Sequence, residues 1–334
     1  MKIPGLQALA RDRFFHLLLL IGAGLSLFVP FAPQAWPAAI DWRTIITLSG
    51  LMMLTKGVEL SGYFDVLGRK MVRRFATERR LSLFMVFSAA VLSTFLTNDV
   101  ALFIIVPLTL TLRKLCEIPV SRLIIFEALA VNAGSLLTPI GNPQNILLWG
   151  RSGLSFAAFT WQMAPLALVM MLSLLAVCWF AFPDKKLQYH SGTTGPQWQP
   201  RLVWSCLGLY IVFLFALELK YEVAGVLLVA AGFVVLARRV LVSVDWTLLL
   251  VFMVMFIDVH LLIQLPVLQN VLHSVSTLSQ PGLWLTAIGL SQFISNVPST
   301  ILLLNYVPPD TLLAWAVNIG GFGLLPGSLA NLIA

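Results

Sequence analysis

The chain has 334 residues, of which 59% are apolar and only 10% are Asp, Glu, Lys or Arg, where a soluble domain carries roughly 25% charged residues. Its mean hydropathy is +0.93. So few charges cannot cover that much apolar surface, which excludes a disordered chain, a secreted disulfide scaffold and an ordinary cytosolic enzyme and leaves an all-α polytopic membrane protein in contact with lipid. The net charge of +7 is read from its placement, because cytoplasmic loops of membrane proteins collect Lys and Arg; it is not read as a nucleic-acid signal. Cys116, Cys178 and Cys206 form no C-x-x-C pair and read as ordinary helix or loop residues.

In chain order, a first apolar run covers residues 14–31 behind Lys2, Arg11 and Arg13. A cleaved signal peptide is the rival reading, disfavoured because the run is long, lacks a clean small-x-small exit and is followed by further spans. A loop with Pro30, Pro33 and Pro37 follows, then a second span over 44–67 and a basic stretch over 69–80. Residues 81–112 form one long apolar segment with basic residues at both ends, Arg79 and Arg80 before it, Arg113, Lys114 and Arg122 after it. A straight helix of that length would be about 48 Å long, against a hydrocarbon core of about 30 Å. The polar triplet Thr97-Asn98-Asp99 sits at its middle. The segment therefore reads as a re-entrant helical hairpin with the triplet at its tip, a break tolerated only where protein or a wet cavity surrounds it. A third span, 123–149, is broken by TPIGNPQN at 138–145, whose two prolines and glycine cannot continue a regular helix. A fourth span covers 154–182, which ends a first half of residues 1–182. A polar linker at 183–201 follows, then spans over 202–217 and 223–237 and one that starts at Trp246, a second hairpin at 282–307 and a second broken segment at 311–334. With the N-terminus inside, 17 of the 21 Lys and Arg residues become cytoplasmic; Arg43, Arg151 and Lys220 lie outside and Lys56 lies within a span.

The second half repeats the first. Asp41-Trp42 and Asp245-Trp246 are offset by 204 residues, LSTFLTNDVALFIIVPL from Leu92 and LSQFISNVPSTILLLNYV from Leu290 by 198, and NAGSLLTPIGNPQN from Asn132 and NIGGFGLLPGSLAN from Asn318 by 186. Asp41 starts a span on the outer side and Asp245 on the inner side, so the repeats are expected to be inverted, with about eight spanning helices (two of them broken) and two re-entrant hairpins. Inverted repeats with broken helices are the architecture of secondary transporters, with the site near the midplane; the alternative is two similar helical bundles with no pathway.

Half-helix N-termini offer N–H groups and a positive dipole end to anions, while carbonyl, amide and hydroxyl oxygens can hold Na⁺. The candidates in the first half are Ser93, Thr97, Asn98 and Asp99, facing Thr138, Gly141, Asn142 and Asn145. In the second half they are Ser291, Ser295, Asn296, Ser299 and Thr300, facing Gly327, Ser328 and Asn331. Helix capping is the plainer role for each Asn or Ser taken singly. Asp99 is the sharpest of them, because a carboxylate deep in a membrane segment costs several kcal/mol unless paired, protonated or solvated; capping at the hairpin turn is its alternative. Lys56 and Glu59, three residues apart on one helix, are expected to neutralise each other. Asp258 and His260 are expected near the outer surface with interfacial solvation, and Glu127 is expected to snorkel or to pair with Arg122 or Arg113. No H-E-x-x-H, G-x-S-x-G or P-loop occurs, so no enzyme and no organic cofactor is expected.

STFLTNDVALFIIVPL, NAGSLLTPIGNPQN, SQFISNVPSTILLL and PGSLAN together resemble the ion transporter superfamily, in its citrate transporter-like and arsenite permease (ArsB/NhaD) group. The resemblance covers nearly the whole chain. It implies a bacterial inner-membrane homodimer with a scaffold part and a mobile part that carries the two hairpins and moves like an elevator. Thr97-Asn98-Asp99 and Ser295-Asn296-Val297 stand where the dicarboxylate branch has a Ser-Asn-Thr triplet at each tip, and Ser93 and Ser291 match its upstream hydroxyls. Asn98 and Asn296 would then bind both ion and substrate, with bound Na⁺ at Ser93, Thr97, Asn98, Ser291 and Asn296. Asp99 and Val297 depart from the pattern: an ionised Asp99 would repel a dianion, and the Asn-Asp pair is similar to the arsenite permease pattern. The resemblance also implies a closing helix after the second broken span, where this chain ends at Ala334. The expectation is a secondary transporter of a small anion (an organic acid, oxyanion or metalloid species) coupled to Na⁺ or H⁺. The alternatives are a Na⁺/H⁺ antiporter with Asp99 as the ion site and a non-transporting membrane scaffold or receptor.

Overall fold

The computed structural model describes residues 13–30, 32–63, 66–67, 70, 74–188, 198–324, 327–328 and 331. Lys2 and Arg11, residues 69 and 71–73 of the basic stretch, the middle of the linker 183–201 and parts of 311–334 lie outside the described residues. Within them the chain is helical, with one isolated β-bridge between Thr77 and Lys186. The main helices are α1 Arg13–Leu25, α2 Trp42–Leu60, α3 Glu78–Phe95, α4 Asn98–Leu115, α5 Val120–Ser135, α6 Pro143–Ser152, α7 Phe156–Ala181, α8 Pro200–Glu218, α9 Glu222–Leu236, α10 Trp246–Ile263, α11 Gln280–Ile294, α12 Asn296–Leu303 and α13 Thr311–Ile319. Of these, α7, α8 and α10 are long and apolar enough to cross a membrane. Trp161, Phe180, Val235 and Phe293 stand exposed on the outside of the bundle, where lipid rather than water would meet them at no cost.

The paired Asp-Trp positions are built alike. Asp41 accepts from Thr44 N at 2.9 Å and starts α2, and Asp245 accepts from Thr247 N at 3.1 Å and starts α10. A carboxylate at this position satisfies one of the orphan N–H groups of the first turn. The following indoles also correspond: Trp42 Nε1 donates to Pro37 O and Trp246 Nε1 to Leu241 O, each at 2.9 Å and each five residues back.

Two apolar cores form. In one, α3, α4, α5 and α7 pack around Leu81, Met85, Leu102, Leu112 and Phe182. In the other, α2 packs on α8 and α9, and α10 on α1 and α12. Gly50 and Gly57 let α2 approach closely; a Cβ on Gly50 would lie 2.3 Å from Phe213 and one on Gly57 2.6 Å from Cys206. Tyr210 on α8 donates to Phe95 O at the end of α3, so the two cores touch where α3 breaks.

Several charged residues are tied down by hydrogen bonds and ion pairs. Arg79 donates to Phe182 O at 2.9 Å, Arg122 to Ala181 O at 2.8 Å, and Glu78 N to Lys185 O at 2.9 Å. Elsewhere Arg43 pairs with Glu222 at 3.7 Å and lies over Trp149, Arg151 approaches Asp41 at 4.0 Å, and Glu218 accepts from Phe156 N. Lys56 and Glu59 pair at 2.9 Å, as their spacing predicts.

Two expectations are corrected. Glu127 neither snorkels nor pairs with arginine: it is fully buried and accepts from Thr109 Oγ1 at 2.6 Å, while Arg122 is engaged with Ala181 O. Because α5 already starts at Val120, Glu127 lies two turns in and faces α4. Asp258 is not solvated at an interface. It is buried, and a Cβ on Gly22 of α1 would come within 2.5 Å of its Oδ1; the missing side chain at Gly22 is what lets α1 cover it.

Candidate functional site

Both hairpin segments break where the sequence places the polar triplets. Leu96 and Thr97 separate α3 from α4, so Thr97 is the N-cap and Asn98 and Asp99 occupy the first turn of α4. Ser295 alone separates α11 from α12, with φ 72° and ψ 154°, a conformation that favours glycine. Neither Thr97 nor Ser295 makes a side-chain cap bond. Asp99 is not a cap either: its Oδ1 is buried with no hydrogen-bond partner.

The first broken span is α5, an irregular stretch from Leu136 to Gly141, and α6. Asn142 caps α6 by accepting from Asn145 N at 2.8 Å. Asn145 Nδ2 donates to Leu136 O and Thr138 O, each at 3.0 Å, which ties the irregular stretch down. Asn98 N donates to Gly141 O at 2.9 Å and Thr138 Oγ1 to Thr94 O at 2.6 Å, so the end of the first hairpin rests on this break. A Cβ on Gly141 would fall 2.0 Å from Ser135 O, a packing that only glycine allows.

Two asparagines that the candidate residues omit join the halves. Asn132, on α5, donates to Asn331 Oδ1 at 2.8 Å and accepts from Ser328 Oγ at 3.2 Å and Asn98 Nδ2 at 3.3 Å. Asn318, on α13, donates to Asn145 Oδ1 at 2.8 Å and accepts from Asn142 Nδ2 at 2.9 Å and Gln144 Nε2 at 3.3 Å. In the repeat register Asn132 corresponds to Asn318, Asn142 to Ser328 and Asn145 to Asn331. Each repeat therefore holds the broken loop of the other through the same position.

The close approaches correspond as well. A Cβ on Gly134 would lie 2.0 Å from Ala90 O and 2.6 Å from Ser93 Oγ; one on Gly320 would lie 2.3 Å from Ser291 Cβ and 3.0 Å from Ile288 O. Thr94 donates to Gly134 O and Gln292 to Gly320 O. These are again register partners.

All the candidate residues are buried except Asn331, which is half-buried. Asn98, Gly141, Asn142, Asn145, Ser328 and Asn331 are drawn together through Asn132 and Asn318. The hydroxyls of Ser93, Ser291 and Thr300 donate to carbonyls of their own helices, Ala90 O, Ala287 O and Asn296 O. Their protons are spent locally and their lone pairs stay available to a cation. Asn296 packs at Gly321, and Gly327 sits by Gly320 O. Ser299 Oγ is buried without a partner. Asn132, Asn318 and Gln144 were detectable in the sequence only as members of the paired motifs, the two asparagines at the first position of each.

The citrate transporter (CitMHS) profile matches residues 14–320. The chain belongs to the citrate transporter family. This family is one of membrane transporters, and the chain's relatives are named an inner membrane protein and uncharacterized transporters. It is 79% identical over 334 residues to the inner membrane protein YbiR of Escherichia coli (strain K12), covering 100% of this chain and 90% of that one. It is 31% identical to the uncharacterized transporter MJ0456 of Methanocaldococcus jannaschii, over 96% of this chain and 88% of the other. It is 28% identical to the uncharacterized transporter Rv2685 of Mycobacterium tuberculosis (strain ATCC 25618 / H37Rv), over 89% and 78%.

Proposed function

We propose that this citrate transporter family member is a secondary transporter of a small anion coupled to Na⁺ or H⁺. In this reading two inverted repeats supply two half-sites, one at each hairpin, and the chain sits in a bacterial inner membrane with its N-terminus inside. About eight helices span, two of them broken, and the two hairpins are re-entrant. The observation that carries the reading is the exchange between repeats, Asn132 with Ser328 and Asn331, Asn318 with Asn142 and Asn145. Such buried polar networks are expensive in lipid unless a pathway needs them.

The starts of α4, α6 and α12 bring helix N-termini toward this network, and their N–H groups and dipoles suit an anion. Na⁺ would take the amide and hydroxyl oxygens of Ser93, Thr97, Asn98, Ser291 and Asn296. Elevator-like motion in a homodimer follows from the family reading alone. The unpartnered Oδ1 of Asp99 favours a second reading, a Na⁺/H⁺ antiporter in which Asp99 takes the ion.

Flux into proteoliposomes under imposed Na⁺ and pH gradients, with citrate, succinate, sulfate and arsenite as solutes, tests both. Uptake of at least one solute driven by one gradient is expected. Failure of every solute under every gradient, with folded protein, overturns the anion reading. Na⁺/H⁺ exchange without any solute would establish the second.

A further inference from the structure

Among the described residues four carboxylates keep a buried oxygen without a hydrogen bond. Asp99 belongs to the first hairpin end, Glu127 bonds Thr109 through its other oxygen, and Glu222 pairs with Arg43. The fourth, Asp258, is 6% exposed, and no cation among the described residues pairs with it. It lies about 18 Å along α10, a depth at which a bare carboxylate is costly in a spanning helix. Unlike Glu127, it stands at the wall of a cavity, of about 650 Å³, between α1 and α10.

Most of that wall is apolar: Leu19 and Leu27 come from α1 and the turn after it, and Val254, Ile257 and Leu261 from α10. Trp36, in the short helix before α2, adds an aromatic ring. Ser26, also at the wall, has spent its proton on Gly22 O at 2.8 Å and can only accept. An apolar cavity of roughly 300–1,000 Å³ with a few placed polar groups is the usual form of a small-molecule site. With Asp258 ionised, the carboxylate and the Ser26 hydroxyl both ask for a donor, and one of them asks for a positive charge. An inorganic cation needs more oxygen ligands than these two, and no group of three His, Cys, Asp or Glu residues that could hold a metal occurs among the described residues. The fitting ligand is an ammonium group on an apolar body.

We infer that the cavity between α1 and α10 is a second binding site, for an amphipathic amine whose ammonium group pairs with Asp258 and whose apolar body fills the cavity. The ammonium supplies the donors that Asp258 and Ser26 lack, the Trp36 ring suits a cation, and the pairing removes an uncompensated charge from an apolar setting. A free amine and the headgroup of an amine-bearing lipid share this chemistry. The inference stands apart from the anion-transport reading, since no hairpin residue takes part in it. α10 packs against α12, so the occupant lies one helix away from the second hairpin end.

The test is ligand-induced stabilisation of the full chain in non-ionic detergent at neutral pH, titrated with three probes that share one apolar cage: adamantylamine, adamantanol and adamantane carboxylate. The amine is expected to bind roughly tenfold or more tighter than the alcohol, the value of a charged hydrogen bond, and the carboxylate not to bind. Asp258→Asn, of the same shape without the charge, is expected to bring the amine down to the level of the alcohol. Ala23→Phe, which fills the cavity from α1 and keeps the carboxylate, is expected to weaken both. Equal binding of amine and alcohol by the wild type overturns the inference, as does an amine affinity unchanged in Asp258→Asn. If Asp258→Asn does not fold, Ala23→Phe decides, and amine binding unchanged there overturns it. The amine titration is then repeated in bilayer discs of phosphatidylglycerol with and without phosphatidylethanolamine. An affinity lowered by phosphatidylethanolamine assigns the site to a lipid amine, and an unchanged one assigns it to a free amine. Absence of amine binding in detergent and in discs overturns the inference and leaves anion transport standing.

Discussion

The two hairpin ends occupy equivalent places in the repeat and are built differently. At the first, two residues in ordinary extended conformation separate long helices, and the restarting helix carries Asn98 and a buried Asp99. At the second, a single residue with positive φ makes the turn, the restarting helix has only eight residues, and Val297 stands in place of the aspartate. A buried carboxylate demands a partner, a proton or an ion, and a valine demands none. The shared elements, Asn98 with Asn296 and Ser93 with Ser291, serve both ends, while any charge-dependent step is confined to the first. If this asymmetry governs transport, Asp99→Asn should lower flux by roughly 10- to 100-fold, the value of one charged hydrogen bond, and should alter its pH profile. Val297→Ala should change flux by no more than about 2-fold. Equal losses in the two variants would show that the ends work alike.

The glycine contacts compare the same two regions through stability. Gly134→Ala drives a methyl group onto the backbone oxygen of Ala90, which already accepts from Ser93 and Thr94 and cannot turn away. Gly320→Ala meets the side chain of Ser291 first, and α11 can shift as a unit. The expected costs are about 3 kcal/mol and about 2 kcal/mol, within the range for overpacking, read as thermal unfolding of purified protein. A larger loss at Gly320 would mean that the second half is the more rigid one.

The asparagine exchange is uneven as well. Asn318 makes two accepted bonds and two donated ones, including one to Ala314 O, all between buried groups. Asn132 makes three such side-chain bonds, two of them at 3.2 and 3.3 Å, where Asn318 has one of its four at 3.3 Å. Asn318→Ala should therefore cost about 2 kcal/mol and Asn132→Ala about 1 kcal/mol. A double variant that loses less than the sum would show the two to be one coupled unit.

Much of the framework was legible in the sequence because it depends on local physics. Gly141 followed by Pro143 favours a stop and a fresh helix start, which is where α6 begins, Asp41 and Asp245 read as helix starts, and a 32-residue apolar run flanked by arginines cannot be one straight span. Asn132 and Asn318 were harder to find, because an asparagine inside an apolar helix has no local signature and its meaning lies in partners far away in the chain. Asp258 was misjudged for the same reason, since its burial depends on a glycine in α1. Glu127 was misjudged because its partner, Thr109, sits on the neighbouring helix and not among the nearby arginines.

The smallest effect expected concerns the turns themselves. Ser295 adopts φ 72° with ψ 154°, a region that side chains with a Cβ reach at a cost of about 1 to 3 kcal/mol and glycine reaches almost freely. Its hydroxyl contributes only a 3.5 Å contact to Asn296 Oδ1, so little is lost when it goes. Ser295→Gly should therefore raise the melting temperature, by the equivalent of about 1 kcal/mol after the flexibility that glycine adds to the unfolded chain is subtracted. At the first end Thr97 has φ −71° and ψ 151°, so Thr97→Gly relieves nothing and adds only unfolded-state entropy; it should lower stability by about 0.5 to 1 kcal/mol. Opposite signs at the two positions would show that strain is stored at the second end alone. Flux should then separate its purpose: if Ser295→Gly stabilises the protein but slows transport, the strained turn is part of the moving site, and if transport is unchanged, the strain is a cost of fitting the turn into one residue.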